Sequence, residues 1–125
     1  MPKKILIVED DSFLQGLTAS KLAKDGYAIV TASNGEDAVK MADAEKPDFI
    51  LLDLVLPAMD GFEVLSKIRK NEALKKTPVI IFSNLAEEKD MQKAKELGAN
   101  EYMVKSNFTL DELAAKIKAM IGSGK

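Results

Sequence analysis

One carboxylate in this chain stands where chemistry gathers. Asp53 closes the run Phe49-Ile50-Leu51-Leu52, which is short and continuously apolar, as a strand buried on both faces is. An unpaired carboxylate inside such a strand costs several kcal/mol. Asp53 is therefore expected just past the strand end, facing solvent or a metal. A second acidic group has the same placement: Glu9-Asp10-Asp11 directly follows Ile5-Leu6-Ile7-Val8. Either cluster alone reads as a solvated turn or a helix cap. Together, two strand ends deliver up to four carboxylates, whose mutual repulsion a divalent cation relieves. An oxygen-only set of this kind suits Mg²⁺, which keeps several waters and takes one or two carboxylates plus a phosphate oxygen.

Two more residues end apolar runs in the same way. Ser83 follows Val79-Ile80-Ile81-Phe82, and Lys105 follows Tyr102-Met103-Val104. Taken singly, a strand-end Ser is a turn residue and a strand-end Lys snorkels to water. Beside a carboxylate and Mg²⁺ they complete a set for phosphoryl transfer. Asp53 can be the nucleophile, since a carboxylate forms an acyl phosphate. Lys105 offers a point charge and Ser83 a hydroxyl donor to the equatorial phosphoryl oxygens.

These residues need elements to position them. Five strand-like runs, near residues 4–9, 27–32, 48–53, 78–83 and 100–104, alternate with five helical patterns. In the first helix Leu14, Leu17 and Leu22 are expected to face the core, with Gly26 as the stop. Ser33-Asn34-Gly35-Glu36 and Asp60-Gly61-Phe62-Glu63 read as capping boxes opening the second and third. The fourth is expected from about Ala86 to Leu97, stopped by Gly98, and Thr109 with Glu112 caps the fifth. Strict alternation with short loops predicts an α/β fold, a doubly wound five-stranded parallel sheet with helices on both faces. Right-handed crossovers and the flavodoxin-like order 2-1-3-4-5 put strands 1 and 3 side by side, so Glu9, Asp10 and Asp53 converge.

Bulk properties set the frame. A chain of 125 residues, 46% hydrophobic and 30% charged, is one ordinary globular domain. A net charge of −2, with Lys and Arg spread along the chain, argues against a nucleic-acid footprint. The chain has no Cys and no His, which excludes disulfides, thiol nucleophiles, soft-metal sites and imidazole acid–base chemistry. No segment approaches the ~20 apolar residues of a membrane span. The start, Met1-Pro2-Lys3-Lys4, does not read as a signal peptide. A cytoplasmic protein is expected, with residues 1–121 as the domain and 122–125 as a flexible tail.

In their order along the chain these motifs resemble the receiver domain of two-component response regulators. The resemblance covers residues 3–121. It rests on Val8-Glu9-Asp10-Asp11, on Asp53-Leu54-Val55-Leu56-Pro57-Ala58-Met59-Asp60-Gly61, on Ser83, and on Tyr102-Met103-Val104-Lys105. The Asp-to-Gly loop is very specific. The strand order is also the family's, so the topology is in part implied by the resemblance. It further implies that Asp53 accepts a phosphoryl group from a sensor histidine kinase, a histidine phosphotransfer protein or a small phosphodonor. Asp10, Asp53 and the Val55 backbone carbonyl would hold Mg²⁺, with Glu9 acting through water. Lys105 would pair with the phosphoryl oxygens, Ser83 would turn toward them, and Tyr102 would switch the face formed by helix 4, strand 5 and helix 5. Such a protein catalyses its own phosphoryl transfer and slow dephosphorylation without being an enzyme in the ordinary sense. It acts through a downstream protein, with no nucleic acid bound by this domain and no membrane as partner, as a monomer or a weak phosphorylation-dependent homodimer.

Two positions depart from the family pattern. The family carries Lys-Pro with a cis bond, and here Ser106 follows Lys105. A cis bond before a non-proline residue costs ~3–4 kcal/mol, so this loop is expected to be trans and reshaped, or strained. Asn84, next to Ser83, is larger than the family's usual small residue and narrows access. Other functions fit less well. A pseudo-receiver, a constitutive interaction module, would not need Asp10, Asp53, Ser83 and Lys105 together. An aspartyl phosphatase of the haloacid-dehalogenase type needs an Asp where Val55 stands. A flavodoxin-like nucleotide binder needs a phosphate-cradling loop where the three acidic residues stand.

Overall fold

The computed structural model describes residues 2–124. Met1 and Lys125, the ends of the expected domain and tail, lie outside them. Strand β1 (Lys4–Val8) leads to helix α1 (Ser12–Lys24), and the alternation continues through β2 (Ala28–Ala32), α2 (Gly35–Glu45), β3 (Phe49–Leu52), α3 (Gly61–Lys70), β4 (Val79–Ser83), α4 (Glu88–Glu96), β5 (Glu101–Val104) and α5 (Leu110–Ile121). All pairings are parallel and the order is β2-β1-β3-β4-β5, as the alternation predicts.

The sheet divides the core by strand alternation. Leu6, Val8, Ile50, Leu52, Val79 and Ile81 point to α2, α3 and α4, where Ala38, Ala42, Val64, Leu65, Ile68 and Ala94 meet them. Ile5, Ile7, Phe49, Leu51, Ile80 and Met103 point the other way, to Leu22 of α1 and to Leu113 and Ile117 of α5. Each residue of β3 is buried because helices cover both faces of this central strand.

Local chemistry sets the helix starts. Asp11 caps α1, its side chain accepting from the Phe13 and Leu14 amides. Thr109 and Glu112 form the full reciprocal box at α5. Three readings of the sequence are corrected. The cap of α2 is Asn34 with Asp37, not Ser33 with Glu36: Asn34 Oδ1 accepts from the Asp37 amide at 2.8 Å and Nδ2 donates to Asp37 Oδ2 at 2.9 Å. Leu17 is 45% exposed, and Thr18 takes the buried place, its hydroxyl satisfied by the Leu14 carbonyl at 2.8 Å. Helix α4 starts later, at Glu88, with Glu87 at the cap position and no side chain bonding its first turn.

Residues 122–124, expected as a flexible tail, lie along the start of β1. The Lys3 amide donates to the Gly124 carbonyl at 3.0 Å, and the Tyr27 hydroxyl donates to the Gly122 carbonyl at 2.5 Å. The Gly124 contact continues β1's own ladder of backbone bonds by one rung, which composition alone does not reveal.

Candidate functional site

The carboxyl ends of β1, β3 and β5 meet in one shallow acidic cleft. Val8 and Leu52 are direct neighbours in the β1–β3 ladder, and the Asp53 amide donates to the Val8 carbonyl at 3.0 Å. This register sets Glu9 and Asp53 side by side. Lys105, one residue past β5, reaches across to both. Its ammonium lies 2.7 Å from Asp53 Oδ2 and 2.6 Å from Glu9 Oε1. Asp53 and Glu9 are buried, each 4% exposed, whereas Asp10 is exposed.

The electrostatics follow from that arrangement. Burial raises the Glu9 carboxyl above its usual range, against the hydrogen bonds from Lys105 and from the Asp11 amide. Lys105 is also raised: burial pulls it down, and the hydrogen bonds and charges of Asp53 and Glu9 outweigh that pull. One ammonium thus pairs with two carboxylates, and a third, Asp10, lies near them.

Oxygens from Glu9, Asp10 and Asp53 all lie within 4.8 Å of one another. The Asp10 carboxylate makes no hydrogen bond or ion pair among the described residues. A hard divalent cation fits this set, because the donors are all oxygen and the local charge balance lacks positive charge. Asp11 does not join them, since its carboxylate is spent on the α1 cap.

The loop after β3 is drawn tightly around Asp53. Asp53 Oδ1 accepts from the Val55 amide at 3.1 Å, and the Gly61 amide donates to the Leu54 carbonyl at 2.9 Å. A Cβ on Gly61 would lie 2.4 Å from the Asp53 carbonyl oxygen. Only glycine lets α3 start this close to the acidic residue.

Ser83 is fully buried at the end of β4, and its hydroxyl accepts from the Leu85 amide at 3.3 Å. The Tyr102 hydroxyl donates to the Leu85 carbonyl at 2.6 Å. Ser83 and Tyr102 therefore share one loop residue. Burial, with the charges of Asp90 and Asp53, pushes the Tyr102 phenol up to about 12. Among the described residues no peptide bond is cis, so Lys105-Ser106 is trans and the loop closes as a 3₁₀ turn, Lys105–Asn107. Asn84 is exposed beside Ser83. The Leu85 backbone pair was not legible in the sequence, since any residue type supplies it.

Residues 5–118 match the family model of the response regulator receiver domain. The alkaline phosphatase synthesis transcriptional regulatory protein PhoP of Bacillus subtilis (strain 168) is 40% identical over 121 residues, or 97% of this chain and 49% of its own length. The transcriptional regulatory protein KdpE of Staphylococcus aureus (strain NCTC 8325 / PS 47) is 41% identical over 120 residues, 96% of this chain and 50% of its own. The chain spans about half the length of these curated relatives. Among solved structures, the receiver domain of sensor histidine kinase PA1611 from Pseudomonas aeruginosa PAO1, which holds a magnesium ion in its active-site cleft, superposes with a TM-score of 0.87 at 31% identity, covering 98% of this chain and 100% of that one. The chemotaxis protein CheY4 of Vibrio cholerae superposes with a TM-score of 0.90 at 26% identity, covering 97% and 100%. With a match that runs from the first strand into the last helix, this chain belongs to the response regulator receiver domain family of two-component signalling.

Proposed function

We propose that this domain is a phosphorylation-driven switch whose phosphoacceptor is Asp53. The observation that carries the reading is the partly buried Lys105 ammonium between Asp53 and Glu9, with the Asp10 carboxylate beside them and without a partner among the described residues. A pseudo-receiver would have no use for that arrangement. Magnesium, held by Asp10, Asp53 and the Val55 carbonyl with Glu9 acting through water, would neutralise the charge of the incoming phosphoryl oxygens.

In the transfer, an Asp53 carboxylate oxygen attacks phosphorus of a phosphohistidine on a sensor kinase or phosphotransfer protein. The new P–O bond forms as the P–N bond breaks, and the electron pair leaves on the imidazole, which takes a proton from solvent. Lys105 exchanges one carboxylate oxygen for a phosphoryl oxygen and stays protonated throughout. Ser83 releases the Leu85 amide and turns its hydroxyl to the phosphoryl group. The adjustment passes through Leu85 to Tyr102 and alters the face formed by α4, β5 and α5. The domain would work in the cytoplasm as a monomer or a weak phosphorylation-dependent homodimer, and its downstream partner would be a protein. Slow hydrolysis by water, breaking the same P–O bond, resets it.

The test is intact-mass analysis after acetyl phosphate and Mg²⁺, wild type beside Asp53→Asn. Wild type gains one phosphoryl group and the variant gains none. Equal labelling of both would remove Asp53 from the role.

A further inference from the structure

Gln15, on α1, reaches back over the strand ends. Its Nε2 donates to the Glu9 carbonyl at 2.9 Å and to the Ala32 carbonyl at 3.3 Å, and lies 3.2 Å from the Ser33 hydroxyl. The Ala32 carbonyl also accepts from the Glu9 amide at 3.0 Å, which is the last rung between β1 and β2. Beyond that rung β2 turns away into the Asn34 cap of α2. Among the described residues no further strand amide reaches the Glu9 carbonyl, and Gln15 supplies the missing donor.

That carbonyl belongs to the peptide joining Glu9 to Asp10. Its oxygen is held from α1, while the amide of the preceding peptide is held from β2. The plane between two residues of the carboxylate cluster is thus held at its oxygen by Gln15, one peptide beyond the last rung to β2. The Asp10 carboxylate has no partner among the described residues, so this plane sets the backbone from which it projects.

We infer that Gln15 is a positioning residue for the divalent cation, setting the Glu9–Asp10 peptide so that Asp10 meets the metal in the geometry Mg²⁺ demands. The inference rests on the magnesium reading given above. Mg²⁺ requires near-ideal octahedral ligation, whereas Ca²⁺ accepts a flexible shell. Loosened positioning therefore costs Mg²⁺ more than Ca²⁺, and loss of charge costs both.

The experiment is calorimetric titration of Mg²⁺ and of Ca²⁺ into the whole chain at fixed ionic strength. Gln15→Met keeps length and charge but removes the donor, and Gln15→Ala is a second variant. Folding of each is checked by melting in EDTA. Mg²⁺ binding is expected to weaken about tenfold, the scale on which outer hydrogen-bond partners act. Ca²⁺ binding is expected to weaken less than about threefold, given its tolerant shell. Ile117→Val, in the core far from the cleft, should lower the melting temperature and leave both affinities unchanged. Asp10→Asn should weaken both ions together. Unchanged Mg²⁺ affinity in both Gln15 variants, or an equal fall for the two ions, overturns the positioning role while wild-type binding keeps the metal reading intact. Absence of Mg²⁺ binding by wild type overturns both.

Discussion

Lys105 is the residue on which the resting site turns. It neutralises two buried carboxylates at once, and truncating one member of a buried charge set leaves the others unpaired at a cost of about 3 kcal/mol. Lys105→Met should therefore melt well below wild type in EDTA. Mg²⁺ should stabilise the variant more than wild type, because ammonium and metal compete for the same oxygens. Equal Mg²⁺ shifts in the two proteins would show that Lys105 and the ion do not share ligands.

Tyr102 gives a second prediction. Its phenol sits at about 12, against about 10 in an unfolded chain. A raised folded value means that this contribution is fully present below pH 10 and is lost as pH rises through about 12. The absorbance titration of native protein should show that late step, and Tyr102→Phe should remove it while the Tyr27 step remains. A Tyr102 midpoint at the unfolded value would mean that the phenol is not buried in solution.

Val55 is 54% exposed just past Asp53, whereas Leu85 packs on the core. Neither side chain can orient water, so the phosphorylated state should be long-lived. Val55→Asn should quicken decay about fivefold if its amide contributes about 1 kcal/mol to holding the attacking water. Decay measured at fixed Mg²⁺ and unchanged by the substitution would remove this shielding. At this scale the sequence was legible where a residue type is itself the chemistry, as for Asp53 or Lys105. It was illegible for Gln15 and the Leu85 backbone, whose roles exist only through neighbours distant in sequence.

At the scale of elements, helix type and order follow from apolar periodicity, while ends follow from caps. Asn34 displaced Ser33 because its amide both accepts and donates, giving Asp37 a reciprocal partner. The link between α3 and α4 is of a kind periodicity does not encode. Arg69 of α3 donates through Nε and Nη2 to the Gly98 carbonyl, at 3.1 and 2.9 Å, and through Nη1 to the Leu74 carbonyl at 2.9 Å. Its Nη2 also reaches Asn100 Oδ1, which accepts the Val79 amide. Gly98, at φ +103, leaves the room the guanidinium occupies: a Cβ there would lie 2.9 Å from Arg69 Nε. Burial lowers the guanidinium's pKa somewhat, yet it stays charged at every working pH. Arg69→Leu strips two carbonyls of charged donors and should cost about 2–3 kcal/mol in urea unfolding. A loss within error of zero would show that water replaces the clamp. The lysine that ends α2 offers the opposite change. Lys46 holds φ +46, a conformation that costs a non-glycine residue about 1 kcal/mol, so Lys46→Gly should stabilise by about that much.

At the scale of the whole molecule, the site is held by two half-cores that share one sheet. β1 and β3 each send alternate residues to the two sides, and both strands end in the acidic cleft. Unfolding of either side should therefore take Glu9 and Asp53 with it through the same backbone ladder. Leu65→Ala opens the side of α3, and Ile117→Ala opens the side of α5. Both side chains are fully buried, so each truncation should cost about 2–5 kcal/mol. Each variant should unfold in a single transition, with coincident loss of helix signal and of Mg²⁺-dependent stabilisation, because neither layer keeps a core when the sheet between them melts. The sequence shows both apolar sets but not this dependence, since periodicity reports which face a residue takes and is silent on what lies behind it. Two separate transitions in either variant would show that one layer folds alone, and the cleft would then belong to that layer instead of to the sheet as a whole.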